Sequence, residues 1–322
     1  MPRTIDADAH IGRRLKLRDL HLFFTVMQRG SMAKAAAYLG ISQPAVSEVI
    51  ADLEHTLGVR LFDRHPQGVE PTRYGQALLK RGLAAFDELK QGIRDIEFLS
   101  DPTSGELTIG HPEFMGRVIL PPIIERFSKE YPHVIVRADV VPAPDVKVPG
   151  LRDRSLDLVV GRMLLPLPDD HVVDDLNVEV LFNDPLVVVA NKHSRWARRR
   201  KIELTELVDE PWVLPLPNSE SYANVAEAFK AKGLQVPKAS LVSNTMGLRT
   251  KLLTGGKFIT VVWKSVLRHG DDRSAMKELP VRLPTQPWSV VVLTLKNRTL
   301  SPVVERFIEC AREVTKPLAM KK

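Results

Sequence analysis

Residues 39–54 read LGISQPAVSEVIADLE, a glycine and a cluster of small polar residues followed by apolar residues at helical spacing. Val46, Val49, Ile50 and Leu53, with Leu57 beyond them, fall on one face of a helix, and Pro44 stands in the first turn, where a missing N–H costs no hydrogen bond. The stripe anchors that helix and leaves Ser42, Gln43, Ser47 and Glu48 facing outward from its N-terminal half. Ordinary helix capping accounts for Ser42 and Gln43 equally well, so the flanking sequence has to decide.

Upstream, Leu20, Phe23, Phe24 and Met27 are spaced as one face of a first helix, which stops at Gly30. Ser31 is placed to cap a second helix, SMAKAAAYL, whose Met32, Ala35, Ala36 and Leu39 repeat the spacing. Gly40 makes the turn into the third. Three short amphipathic helices, the last two joined by a glycine turn, describe a helix-turn-helix. In that arrangement the N-terminal half of the third helix enters the major groove, where Gln and Ser can bond to base edges and the helix N-terminus favours phosphate. Downstream, LGVRLFDRHPQGVEPTRYG (57–75) contains a helix stop, a short strand, a turn at 66–68 and a return strand ending at Thr72. This is a two-stranded wing, and Arg60, Arg64, His65 and Arg73 on its tip and edges can lie over a phosphate backbone.

FFTVMQRGSMAKAAAYLGISQPAVSEVIADLEHTLGVRLFDR (23–64) and PTRYG (71–75) resemble, in order and spacing, the N-terminal signature of the LysR-type transcriptional regulators. The resemblance implies contact with double-stranded DNA at an interrupted palindromic promoter site, through Ser31, Lys34, Ser42, Gln43, Pro44, Ser47, Glu48, Arg60, Arg64 and Arg73. Glu48 departs from the family, which usually places a basic residue there; a carboxylate repels phosphate but can accept from a cytosine amino group.

From Thr72 to Leu99 the chain reads as one long helix, with Leu79, Gly82, Phe86, Leu89, Ile93 and Ile96 in steps of three and four, the seam of a coiled coil. In the resembled family this linker pairs two subunits, and two such dimers commonly join through their effector domains. A homodimer and a homotetramer are therefore expected by resemblance, with RNA polymerase as a further partner. SDPTSG breaks the helix. Beyond Gly105 apolar strands alternate with helices, which implies βαβ units and mostly parallel, buried sheets.

This pattern is similar to the effector domain of the same regulators, two lobes joined by crossover strands near 180–190 and 283–291. The expected fold is α/β: an all-α winged helix-turn-helix with a small β wing, a long linker helix, and a two-lobed domain like the periplasmic binding proteins. The expected division is an N-terminal extension (1–16), the winged helix-turn-helix (17–73), linker and hinge (74–104), and effector domain (105–322). In the last, lobe I covers about 105–180 and 291–322, and lobe II about 181–290.

A ligand in such a domain lies between the lobes, beyond the carboxyl ends of the strands and against helix N-termini. Those positions are His111, Pro112, Glu113 and Phe114, then Pro142 and Ala143, then Asn218, Ser219, Asn244 and Thr245. Asn218, Ser219 and Thr245 read equally as helix caps. Helix N-termini favour a small organic acid as effector, while Glu113 argues against a simple dianion.

Other readings find less support. The net charge is +7, but the first hundred residues hold 14 Lys and Arg against 12 Asp and Glu, so charge alone does not locate DNA binding. LTGGKF (253–258) lacks the earlier Gly of a phosphate loop and has Phe258 where Ser or Thr would bind magnesium, so it reads as a turn. HSRWARRRKIEL (193–204) reads as a solvated basic segment. The nine histidines form no metal or catalytic spacing, no cofactor is indicated, and the lone Cys310 reads as core filling. An α/β enzyme would need a complete catalytic constellation. A solute-binding protein with no regulatory role would need an export signal, whereas MPRTIDADAHIGRR has none, and the cytoplasm is the expected compartment.

Overall fold

The three apolar stripes of the first unit become helices α1 (Leu17–Arg29), α2 (Met32–Leu39) and α3 (Gln43–Leu57) in a computed structural model of the chain. The structure describes residues 15–141, 148–166, 173–270 and 272–319. Phe23, Val26, Ala35, Val46 and Ile50 are fully buried and form the centre of a small core. Gly40, with φ at 67°, makes the turn that brings α2 and α3 together. Ser31 occupies the N-cap of α2 as expected, but its side chain makes no capping bond, whereas the Ser42 hydroxyl accepts from the Ala45 amide at the start of α3.

Strands β1 (Phe62–His65) and β2 (Gly68–Pro71) pair antiparallel as the wing. One oxygen of the Glu54 carboxylate accepts from the amides of Leu61 and Phe62, at 2.7 and 3.2 Å, and so ties the first strand to α3. The Thr72 hydroxyl donates to the Arg60 carbonyl and accepts from the Gly75 amide, which closes the wing onto the next helix. At Gly75 a Cβ would lie 2.3 Å from the Leu61 carbonyl oxygen, so only glycine allows this approach.

Helix α4 (Arg73–Ser100) leaves the wing, and the first compact unit ends within it, at Lys90. The seam read from the sequence divides. Leu79, Gly82 and Phe86 pack on the helix's own unit rather than on a partner: Phe86 stands edge-on to Phe24 with centroids 5.3 Å apart, and a Cβ at Gly82 would collide with the Phe24 ring. Leu89, Ile93, Ile96 and Leu99 are 50, 59, 65 and 80% exposed.

The second unit, from Gln91, contains two five-stranded sheets. The first has the order β4 (His133–Val140), β3 (Ser104–His111), β5 (Leu158–Met163), β12 (Trp288–Leu295) and β6 (Leu176–Asp184). The second has the order β11 (Met276–Glu278), β7 (Leu186–Asn191), β10 (Ile259–Trp263), β8 (Trp212–Leu214) and β9 (Ala239–Val242). The chain crosses between them at Pro185 and again between Glu278 and Trp288. The sheets are mixed rather than mostly parallel. β3 runs parallel to β4 and β5, and β8 to β9 and β10, but β12 is antiparallel to β5 and β6, and β7 to β10 and β11. The strands at the crossings enter from the other lobe, and so run against the βαβ strands beside them.

Helices α5 (Glu113–Val118) and α6 (Leu120–Glu130) follow β3 where one helix was expected, and α7 (Pro149–Arg152) precedes β5. In the second lobe come α8 (Glu220–Lys230), α9 (Met246–Leu253) and α10 (Val266–His269), and α11 (Pro302–Ala319) closes the chain in the first lobe. Cys310 on α11 is buried with its thiol on the Ile123 carbonyl, and burial pushes that thiol up to about 11, as a packing residue requires.

Candidate nucleic-acid interface and ligand cleft

With Val46, Ile50 and Leu53 buried, the α3 backbone has one orientation available, and Ser42, Gln43, Pro44 and Glu48 are exposed on its N-terminal half. Ser47 is less open than its position suggested: it is half-buried, its hydroxyl donates to the Met32 sulfur, and it accepts from the Gln43 amide at 3.3 Å. The Gln43 side chain is thereby held at the helix surface by its neighbour one turn on. Lys34 on α2 is exposed and Ser31 half-buried. On the wing Arg60, Arg64 and His65 are all exposed.

Arg73 begins α4, donates to the Tyr74 hydroxyl at 2.6 Å and stacks over the Tyr74 ring. Sequence reasoning missed a similar pair, Arg29 over the exposed ring of Tyr38 at 4.0 Å. An Arg nine residues before a Tyr across a glycine turn was the only available signal.

In the second unit the lobes meet across a cavity of about 470 Å³. The first lobe contributes Pro112, Glu113, Phe114, Met115 and Arg162; the second contributes Pro215, Asn218, Ser219, Asn244, Met246, Arg249 and Trp263. Six of the expected residues are therefore brought together: Pro112, Glu113, Phe114, Asn218, Ser219 and Asn244. Two are not. His111 is buried beside Gly116, with its Nδ1 on the Pro112 carbonyl, because strand alternation sends its ring away from the cavity. Thr245 is an exposed N-cap that neither caps with its side chain nor lines the cavity. Pro142 and Ala143 lie outside the described residues.

Ser219 serves the capping role: its hydroxyl donates to the Leu216 carbonyl and accepts from the Tyr222 amide. The Asn244 carbonyl oxygen accepts from the Leu216 amide, so its NH₂ retains its donors, and Asn244 lines the cavity.

Two arginines of this wall were not foreseen, since nothing in VVGRM or MGLRT marks them out. Arg162 on β5 donates to Asp184 at 2.9 Å, and their side chains are only 9 and 1% exposed. Asp184 stands at the crossing and also accepts from the amide and hydroxyl of Ser265 in the other lobe, at 2.9 and 2.7 Å. The Arg162 guanidinium lies 4.4 Å from the Phe114 ring centroid and 4.1 Å from that of Trp263, one ring from each lobe. This buried charge network is shared by both lobes where the chain passes between them. Arg249 on α9 is 4% exposed, and burial lowers its guanidinium to about 10.

A larger groove of about 800 Å³ runs along β6 and α11 with Glu179, Glu305 and Glu309 on its wall. Arg312 is tied to both oxygens of Glu179 there, which makes the groove a solvated, charge-paired sheet edge. The basic run at 195–201 is likewise largely spent on acids: Arg195 pairs with Glu210, Arg199 with Glu206 and Lys201 with Glu203. Within LTGGKF, Leu253 ends α9 in the core and residues 254–257 form an exposed turn. No helix among the described residues is long and apolar enough to cross a membrane, and no cluster among them could hold a metal ion.

Comparison with known proteins agrees with this division. Residues 17–76 match the bacterial regulatory helix-turn-helix protein, lysR family, and residues 100–316 match the LysR substrate binding domain. The chain is 27% identical to the HTH-type transcriptional regulator GbpR of Azospirillum brasilense, over 94% of this chain and 87% of that one. It is 29% identical to the HTH-type transcriptional regulator TdcA of Escherichia coli, over 92% of this chain and 93% of that one. In fold it is similar to a full-length OxyR variant from Pseudomonas aeruginosa (TM-score 0.61, 18% identity, covering 94% of this chain and 95% of that one). It is also similar to CbnR solved with its target DNA (TM-score 0.51, 21% identity, covering 94 and 100%). Since the two family descriptions together span nearly the whole chain, it belongs to the LysR family of transcriptional regulators, with a helix-turn-helix DNA-binding domain and an effector-binding domain.

Proposed function

We propose that this regulator acts in the cytoplasm on an interrupted palindromic promoter site, reading bases with Gln43, Ser42 and Glu48 and clamping phosphates with Arg60, Arg64 and Arg73. The supporting observation is the division of α3, whose apolar face is buried while the polar residues of its first two turns are exposed. Ser31, Lys34, Pro44 and Ser47 complete the surface, with Ser47 holding Gln43 rather than reaching a base itself. The exposed stripe Leu89, Ile93, Ile96 and Leu99 supports pairing of two chains along α4, which sets two reading heads on two half-sites. A tetramer and contact with RNA polymerase rest on the family resemblance.

The effector is a small organic acid held between the lobes by Asn218, Asn244 and the residues of the cavity wall. It acts through unequal affinity for two arrangements of the lobes. Selection of bound sequences from a random duplex library, followed by mobility shift, tests the DNA reading. It expects two half-sites one or two helical turns apart, and enrichment of a single unrepeated motif rejects the paired arrangement.

A further inference from the structure

Arg249 differs from Arg162, the other buried arginine of the cleft, in having no carboxylate beside it among the described residues. Its Nη1 donates to the Val261 carbonyl at 3.2 Å and its Nη2 reaches the Met246 sulfur at 3.7 Å, a weak acceptor, while its Nε meets no acceptor among the described residues. No carboxylate among them pairs with it, although Arg162, equally buried on the same cavity wall, is matched by Asp184. A guanidinium offers five N–H donors in a fixed fork. Here most of that capacity is unmatched in a desolvated side chain that lines the cavity, on a group that burial lowers only to about 10 and that therefore stays charged at neutral pH.

The charges around the cavity sum simply. Arg162 is offset by Asp184, and Glu113 at the rim, 56% exposed, faces Arg117 at 4.0 Å. Among the described residues that line the cavity, Arg249 is the cation with no carboxylate partner. Met115 and Met246 supply apolar wall for a hydrocarbon group, and Glu113 supplies an acceptor.

We propose that Arg249 is a carboxylate receptor, and that the cleft takes a monocarboxylate carrying a hydroxyl or ammonium group, with its carboxylate on Arg249 and its donor directed to Glu113. This rests on the reading of the cleft as the effector site and names the ligand class. A dicarboxylate would set its second charge against Glu113, and a neutral amide would leave the guanidinium unmatched.

The test uses the full-length protein and four probes of similar size: leucine, 2-hydroxy-4-methylpentanoate, glutarate and leucinamide. Binding is followed by tryptophan fluorescence, to which Trp263 in the wall is sensitive, and by thermal shift. The first two probes are expected to bind, with glutarate and leucinamide weaker by about tenfold or more. Arg249→Met preserves volume in the core and should keep the thermal midpoint, but weaken both acids by about tenfold to a hundredfold. Arg249→Lys, which retains charge without the fork, should fall between. Asn218→Trp obstructs the cavity from an exposed position and should abolish binding.

Acid binding that survives Arg249→Met but not Asn218→Trp rejects the receptor and keeps the cleft. Binding indifferent to both variants rejects the cleft as well. Leucinamide binding as tightly as leucine, or neither acid binding at all, overturns the ligand class.

Discussion

Ile93→Asp is expected to separate the paired linker helices without unfolding either unit. Ile93 is 59% exposed in the single chain, so pairing removes at most that share of its surface from water. Full burial of such a side chain contributes about 1.5–3 kcal/mol, which leaves about 1–2 kcal/mol for each copy and about 2–4 kcal/mol for the symmetric pair. An aspartate in the same place adds the cost of desolvating an unmatched carboxylate, about 1–3 kcal/mol on each side, and sets two like charges across the axis. The total, about 4–10 kcal/mol, corresponds to a linker association weaker by about three orders of magnitude or more.

Sedimentation at micromolar protein should therefore show the assembly reduced by half, with circular dichroism unchanged and affinity for a two-half-site duplex lost in parallel. An unreduced assembly with normal DNA affinity would refute the pairing. Phe86→Asp would not serve as the test. Phe86 packs on Phe24 and His21 inside its own unit, so a charge there unfolds the DNA-binding domain and abolishes DNA binding for an unrelated reason.

Gln43→Ala should cost about 1–3 kcal/mol on the selected site and little on random duplex, whereas Arg64→Ala should weaken both and lower the salt slope by about one; mobility shifts across a salt series distinguish them. An unchanged specific-to-random ratio for Gln43→Ala removes that side chain from base reading. Asp184→Asn leaves Arg162 buried without its carboxylate, and the effector unit should lose about 3–5 kcal/mol in urea unfolding; a midpoint equal to that of the unaltered chain would mean the network is not holding the lobes. Cys310, with its thiol raised to about 11 and buried, should react with Ellman's reagent only after unfolding, and rapid labelling of the folded chain at pH 7.5 would contradict its place in the core.

The DNA-binding unit was legible because its instructions are local. Helix stripes at three- and four-residue spacing, a proline at the start of α3 and glycines at the turns each act within a few residues, and the three helices and the wing follow from them. Even the terse PTRYG resolves into a threonine that ties the start of the wing to the next helix and a glycine pressed on the Leu61 carbonyl.

The seam of α4 was legible as apolar spacing but not as a surface with two owners. That Phe86 is covered depends on where Phe24 lies, which no local pattern records, while Ile93 stays exposed. The same limit governs the cleft. Helix N-termini after strands could be located along the chain, so Glu113, Asn218 and Asn244 were found, and His111 was misplaced only by the alternation of a strand end. Arg162 and Arg249 occur in ordinary apolar strand and helix sequences, and a buried charge carries no sequence signature of its own. Their environments, a carboxylate at the lobe crossing for one and no carboxylate for the other, are created only when segments 12 to 22 residues apart fold together. Local spacing thus determined the elements, while tertiary packing decided which apolar residues of the linker stay exposed and which charges line the cavity between the lobes.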